Sequence, residues 1–227
     1  PGFKAAVRAR IPEVRKVIAE TETMLIKNRI FLDRTQGVGI LTKSRAIELG
    51  CTGVIGRAAG IPYDVRKDNP YMVYGELDFE VPVGQDGDNW DRFMCRFEEV
   101  QQSLRILEQC LDKLPDSGPV SVSDPRITLP PKSEVYNTIE GTIAHFKLIM
   151  EGVKPEKGEV YSFTEAGNGE LGFFIVSDGS GTPYRVRVRP PCWFNLQAVR
   201  EMVMGDMIAD IIPTFGSINM IGGECDR

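Results

Sequence analysis

The sequence predicts an α+β fold, a mainly helical body carrying a β-hairpin or small antiparallel sheet. Three observations predict it. Within Gly158–Asn195, the β-rich runs Leu171–Ser177 and Tyr184–Arg189 flank Asp178-Gly179-Ser180-Gly181, whose glycines supply the positive φ angles of a tight reversal. Several other stretches place apolar residues at helical spacing. With 42% apolar and 26% charged residues over 227 positions, the chain can bury a real core.

In chain order, the first helix is predicted over residues 11–30, where Ile11, Val14, Val17, Ile18, Thr21, Met24 and Leu25 share a face and Pro12 sits in the first turn. The turn Arg34-Thr35-Gln36-Gly37-Val38-Gly39 is read first as a tight corner, with an anion cradle as the alternative. A short helix follows from Thr42 to Leu49, and Gly50 stops it. Between Gly53 and Tyr74, Arg57, Asp64 and Arg66 can form a charge network, which is costly to bury unless each member is paired.

Asp88 or Asn89 caps a long helix reaching Leu114, with an apolar stripe from Trp90 through Phe93, Met94, Phe97, Val100, Leu104 and Leu107 to Leu111. Residues 115–132 include five prolines without helical period, an ordered loop expected to lie on another surface. Ser133 caps the next helix, which ends near Met150 and turns Val135, Ile139, Ile143, Phe146 and Ile149 inward. His145, on or near that apolar side, reads as a hydrogen-bonded packing residue.

In the hairpin, the first strand is apolar on both faces and is expected to be central and sandwiched between layers. The second alternates Tyr184, Val186 and Val188 with Arg185, Arg187 and Arg189, so three guanidinium groups recur on one face at roughly 7 Å. Such a face seeks anions, or belongs to an edge strand that keeps its charges in water. Pro190-Pro191 ends the strand. Asn195 caps a last helix carrying Leu196, Val199, Met202, Val203, Met207 and Ile211, which Pro213 ends, and the apolar, glycine-rich tail is expected to be tucked in.

A net charge of −5 leaves no footprint for nucleic acid, and no apolar run is long enough to span a bilayer. Five cysteines without a C-x-x-C, and a single histidine, suit reduced cytosolic thiols and argue against a zinc or iron–sulfur site on this chain. A chain opening at Pro1 without Met is expected to be part of a longer one.

The order of several motifs resembles a known family. They are Arg34-Thr35 with Gly37 and Gly39, Gly56-Arg57-Ala58 with Gly60, Pro62-Tyr63-Asp64-Val65-Arg66, Pro70-Tyr71, His145-Phe146-Lys147, Gly158-Glu159-Val160-Tyr161, Gly169-Glu170-Leu171-Gly172, Ser177-Asp178-Gly179, Pro183-Tyr184-Arg185-Val186, Arg189-Pro190-Pro191, Ala209-Asp210 and Gly223-Glu224-Cys225-Asp226-Arg227. Over nearly its whole length the chain resembles the D subunit of NADH:quinone oxidoreductase, respiratory complex I. The resemblance implies the C-terminal part of one D-subunit domain over residues 1–227, with the N-terminal part of the family absent, and a fold like the nickel–iron hydrogenase large subunit. It implies a wall of the quinone cavity formed by Arg57, Asp64, Arg66, Asn168, Glu170, Arg189, Asn219, Asp226 and Arg227, with no catalytic residue and no metal in this piece.

By the same resemblance the chain binds no redox cofactor. Quinone is the substrate, while NADH and iron–sulfur clusters sit on partner subunits of the peripheral arm beside membrane subunits. The protein would lie peripherally on the cytoplasmic side of the inner membrane, in an enzyme that couples electron transfer to proton translocation. Two departures stand out: Gly167-Asn168 where the family usually has Pro-Arg, and Asn219 where it usually has Asp. Asp206 also stands where the family often has His. The alternatives are a hydrogenase-like large subunit, which would need thiol pairs for nickel, and a non-catalytic divergent paralogue with an assembly role.

Overall fold

A computed structural model describes residues 2–226. It divides into two compact units: one holds the chain up to residue 114, residues 163–171 and the chain from 189 onward, and the other holds residues 115–162 and 172–188. In chain order the helices are α1 (Gly2–Ile26), α2 (Arg29–Asp33), α3 (Lys43–Glu48), α4 (Val54–Ala58), α5 (Val65–Asp68), α6 (Asn89–Lys113), α7 (Lys132–Asn137) and α8 (Ile139–Met150). Strands β1 (Gly158–Ala166), β2 (Gly169–Ser177) and β3 (Arg185–Arg189) form one three-stranded sheet in the order β1-β2-β3. Helices α9 (Pro191–Gln197), α10 (Val199–Val203), α11 (Ile211–Ile218) and α12 (Gly222–Cys225) complete the chain. The α+β class is the one the sequence predicts.

In the first unit, Leu41, Ala46, Cys51, Ile55, Ala59, Ala198, Met202 and Ile218 make the central core. The corner before α3 and the helix itself follow local chemistry: Thr42 caps it and Gly50 takes φ 69° just past its end. Asp88 caps α6, accepting the Asp91 N–H at 2.8 Å. The first helix differs from expectation, because it begins nine residues earlier than residue 11 and carries Pro12 in its interior. Its packed stripe starts at Val7, which with Ile11 and Ile18 meets Leu104 and Leu111 of α6, while Val14, Val17 and Met24 face outward.

The end of the chain also differs. Asn195 lies inside α9, fully buried, and caps nothing; Pro190 precedes that helix and Pro191 opens it. The single helix expected up to Pro213 is broken into α9, α10 and α11, with Met204 extended and Pro213 in the first turn of α11. Thr214 and Ile218 are buried, but Phe215, Ile221 and the glycines at 216, 222 and 223 are exposed, so the tail is tucked in only in part.

In the second unit, the helix expected from Ser133 to Met150 is two helices, because Thr138 leaves the helical conformation and its hydroxyl accepts the Gly141 N–H at 3.0 Å to start α8. Ile139, Ile143, Phe146 and Ile149, expected inward, are exposed. Val120, Val122, Ile127 and Leu129 of the proline-rich loop are exposed as well. Strand β2 is central but not sandwiched: Phe173 is exposed and Phe174, Ile175 and Val176 are only half-buried. Strand β3 is an edge, and its Arg185 and Arg187 are exposed, as an edge strand with solvated charges requires. Among the described residues no helix is long and apolar enough to cross a membrane.

Candidate functional site

Two glycines bring the first unit's polar centre together. Gly53, at φ 67°, starts α4, and a Cβ there would stand 2.5 Å from the Asn168 carbonyl oxygen; Gly169, at φ 132°, would place a Cβ 2.5 Å from Thr52 Oγ1. Only glycines at both positions let the β1–β2 turn lie directly on the start of α4. That contact carries β1 and β2 residues into the neighbourhood of Arg57.

Arg57 is buried on α4. Its Nε donates to Glu99 Oε1 at 2.7 Å, and its Nη1 donates to Glu165 Oε1 at 2.8 Å and to the Tyr63 carbonyl at 3.0 Å, with Asp64 Oδ2 at 3.7 Å. Asp64 in turn accepts from Arg66 through both oxygens, at 3.0 and 2.6 Å, and caps α5 through the Arg66 N–H. The Arg66 guanidinium lies over the Phe79 ring at 5.1 Å. Two cations thus serve three carboxylates, and every member is hydrogen-bonded.

Environment separates the carboxylates. Burial pushes Glu165 up and, together with the nearby Asp64 charge, outweighs the Arg57 guanidinium that pulls it down. Burial also acts on Asp64, but the Arg66 hydrogen bonds and the two guanidinium charges outweigh it and hold Asp64 below the usual carboxylate range. Arg57 stays protonated, because Glu99 and Glu165 outweigh its desolvation.

Tyr63 joins this cluster to a second one. Its hydroxyl donates to Glu170 Oε2 at 2.7 Å, and its own ionisation is pushed up by burial and by that carboxylate. Arg189, half-buried at the end of β3, donates to the Glu170 carbonyl at 2.6 Å, to the Gly50 carbonyl at 2.9 Å and to Thr52 Oγ1 at 3.3 Å. Its Nε stands 3.6 Å from Glu170 Oε1. Of the Arg-bearing strand, only this arginine has been drawn inward.

The third cluster is neutral. Asn219 Nδ2 donates to Asn168 Oδ1 at 3.1 Å, while Asn168 Nδ2 donates to the Asn219 carbonyl at 2.9 Å and to Cys192 Sγ at 3.3 Å. Asn219 holds the left-handed conformation (φ 57°, ψ 48°) that ends α11, which asparagine tolerates better than most residues. Asn195 Nδ2 donates to the Asn168 carbonyl at 3.0 Å.

Since the two amides touch, restoring charge to them is a coupled change. Asn168→Arg or Asn219→Asp alone is expected to destabilise the fold, because each places an unpaired charge among neutral groups, while the double substitution recovers a coupling of about 1 to 3 kcal/mol. A double-mutant cycle by denaturant unfolding measures it; strict additivity would show the two positions to be independent.

A further polar knot holds α6 to α11. Arg92, fully buried, donates to Ser217 Oγ at 2.9 Å, the Gly87 carbonyl at 2.7 Å, and the Gly39 carbonyl and Asn89 Oδ1, both at 2.6 Å. Burial without a carboxylate partner lowers this arginine to about 10. The Gly37 and Gly39 N–H groups are taken by carboxylates of the chain itself, Asp88 at 2.8 Å and Asp206 at 2.9 Å, so the expected corner holds two internal anions. Beside the knot is a mostly apolar cavity of about 430 Å³, lined by Phe31, Phe93, Arg96, Ser217 and Asn219 among others.

Of the residues named from the sequence, Arg57, Asp64 and Arg66 share the first cluster, Glu170 and Arg189 the second, and Asn168 and Asn219 the third. Asp226 is exposed past the end of α12 and is part of none of the three clusters, and Arg227 lies outside the described residues. Glu99, Glu165, Tyr63, Arg92 and Asn195 were not anticipated. For Glu165 one signal existed: it follows Phe163 in the alternation of β1 and so points to the same, inner side.

Residues 1–227 match the family described as the 49 kDa subunit of respiratory-chain NADH dehydrogenase. The chain is 60% identical over 225 residues to the first of the numbered D subunits of NADH-quinone oxidoreductase in Sorangium cellulosum, a match covering 99% of this chain and 56% of that protein. It is 53% identical over 224 residues to the D subunit of the Myxococcus xanthus NADH-quinone oxidoreductase, covering 96% and 54%. To the second of the numbered D subunits in an Anaeromyxobacter species it is 51% identical over 226 residues, covering 100% and 52%. The chain spans about half the length of the curated relatives it matches.

Proposed function

Because the chain belongs to the family of the 49 kDa subunit of respiratory-chain NADH dehydrogenase, we propose that it forms part of the quinone-cavity wall of a NADH:quinone oxidoreductase, beside an iron–sulfur subunit. Electrons pass from NADH through iron–sulfur clusters of partner subunits to quinone, and the reaction is coupled to proton translocation. The whole protein sits peripherally on the cytoplasmic side of the inner membrane, against peripheral-arm and membrane subunits. The wall residues are Arg57, Asp64, Arg66, Asn168, Glu170, Arg189, Asn219, Asp226 and Arg227, and they belong to the C-terminal part of one D-subunit domain.

The observation that carries this reading is the buried, fully paired charge network running from Arg66 through Asp64, Arg57 and Glu165, with Tyr63 leading on to Glu170 and Arg189. Replacing buried ion pairs with apolar side chains is often neutral or stabilising, so stability alone does not call for such a network. Carboxylates held on both sides of their ordinary range suit a site where a substrate takes up protons. A second reading, a divergent paralogue with an assembly role, is favoured by the neutral Asn168–Asn219 pair.

A gene exchange separates the two. The full-length protein replaces the corresponding subunit in a bacterium lacking its own, and membrane NADH:quinone reductase is measured beside the amount of assembled complex. The proposed function expects restored quinone reduction, whereas assembly without quinone reduction is the result of the second reading.

A further inference from the structure

Helices α1 and α6 pack as an antiparallel pair, since residue numbers fall along α6 as they rise along α1: Arg8 meets Asp112 at 2.5 Å, and Arg15 meets Glu108 at 3.0 Å and Gln101 at 3.3 Å. These polar contacts edge the apolar seam in which Ile11 packs with Leu104 and Leu111. Each helix also carries a second apolar stripe. On α1 it is Val14, Val17 and Met24, and on α6 it is Val100, Leu107 and the adjoining Leu114, all six exposed. At about 100° per residue, each stripe stands roughly a quarter-turn round from its own helix's side of the seam. Because the helices run in opposite directions, these turns bring both stripes to the same side of the pair, opposite the ion pairs.

The polar side chains within this face are turned away from it. Thr21, between Val17 and Met24, donates to the Val17 carbonyl at 2.8 Å, and Ser103, between Val100 and Leu107, donates to the Glu99 carbonyl at 2.7 Å. Neither hydroxyl proton is left for a partner, so what the face offers is apolar. Its spacing is that of helices which interlock: Val17 and Met24 are seven residues apart, as are Val100, Leu107 and Leu114. A groove between two antiparallel helices takes a third helix along its length, and the α6 side alone is long enough for roughly four turns. A helix such as α1, apolar on two sides, belongs inside a bundle rather than at its rim.

We propose that this groove holds an α-helix of the same polypeptide, drawn from the part of the full-length protein outside residues 1–227. The matched stretches are 56, 54 and 52% of the relatives' lengths, so nearly as many residues again need a place to pack. A helix tethered to the chain that carries its groove docks at high effective concentration, without the cost of bringing in a separate molecule.

The test uses the assembled enzyme with its full-length subunit, grown on photo-methionine and photo-leucine, diazirine analogues close in shape to the residues they replace. Illumination followed by peptide mapping is expected to join Met24 and Leu107 to one segment of the same chain outside residues 1–227, at positions three or four residues apart. Hydroxyl-radical footprinting of the unlabelled enzyme is expected to oxidise Met24 roughly tenfold or more slowly than in the urea-unfolded chain, as a face covered in the native state requires. Links confined to another subunit or to residues 1–227, or no links at all, overturn the proposal. Oxidation of Met24 at the unfolded rate overturns it too, since water then fills the groove.

Discussion

Replacing Arg57 with methionine lowers the stability of the first unit by about 3 to 5 kcal/mol at neutral pH, the cost of leaving buried charges without their partner. Methionine fits the space, but it strands Glu165 and Glu99 and weakens the field around Asp64, all of which the guanidinium reaches. The deficit depends on pH in a definite direction. With the cation gone, Glu165, already raised by burial, holds its proton more tightly still, so the penalty is full where that carboxyl must be charged and shrinks as pH falls and it protonates. The wild type moves the other way: Asp64, held below its ordinary range, contributes stability above that range that is lost as pH falls through its lowered folded value. The two stability curves therefore converge on acidification. Both tryptophans, Trp90 and Trp193, belong to this unit, so their fluorescence during denaturant unfolding reports it. A variant as stable as wild type at pH 7 would mean the network is solvated.

What could be read from the sequence was what local chemistry controls. Thr42 and Gly50 bracket α3, Asp88 starts α6, and the turn around Gly179 joins β2 to β3, because caps and positive-φ glycines act within a few residues. The extent of α1 was misjudged because Pro12 looked like a first-turn residue, while the packed stripe had already begun at Val7. The exposed face of α8 was misjudged for a different reason: helical spacing of Ile139, Ile143, Phe146 and Ile149 shows that they share a side, not that anything covers it.

The site was half legible. Arg57, Asp64 and Arg66 stood close enough in sequence to suggest a network, but Glu165 is 108 residues from Arg57 and Glu99 is 42 away, and no periodicity announces which segments will meet. Arg92 was hidden by its setting, since a charged residue one turn into an amphipathic helix ordinarily faces water. Here it is the residue on which the Gly39 turn, the Gly87 carbonyl and α11 converge. Asn168 and Asn219, two separate departures from the family pattern in the sequence, touch in the fold.

Whether the buried network serves the quinone reaction turns on Glu165. Glutamine keeps its volume and an acceptor for Arg57 Nη1, and it leaves two cations facing two carboxylates, so the fold is expected to persist. What it removes is a carboxyl whose proton affinity burial and Asp64 have raised, and which is linked to Glu170 through Arg57 and Tyr63. In the assembled enzyme, Glu165→Gln is expected to lower NADH:quinone reductase on the order of 10²-fold, the low end of what a positioned proton-transfer group contributes, and to erase one ionisation from the pH dependence of that rate. NADH:ferricyanide reductase and the amount of complex stay at wild-type levels. Quinone reduction at the wild-type rate with an unaltered pH profile would contradict this role, leaving the Arg57 cluster as structural support alone.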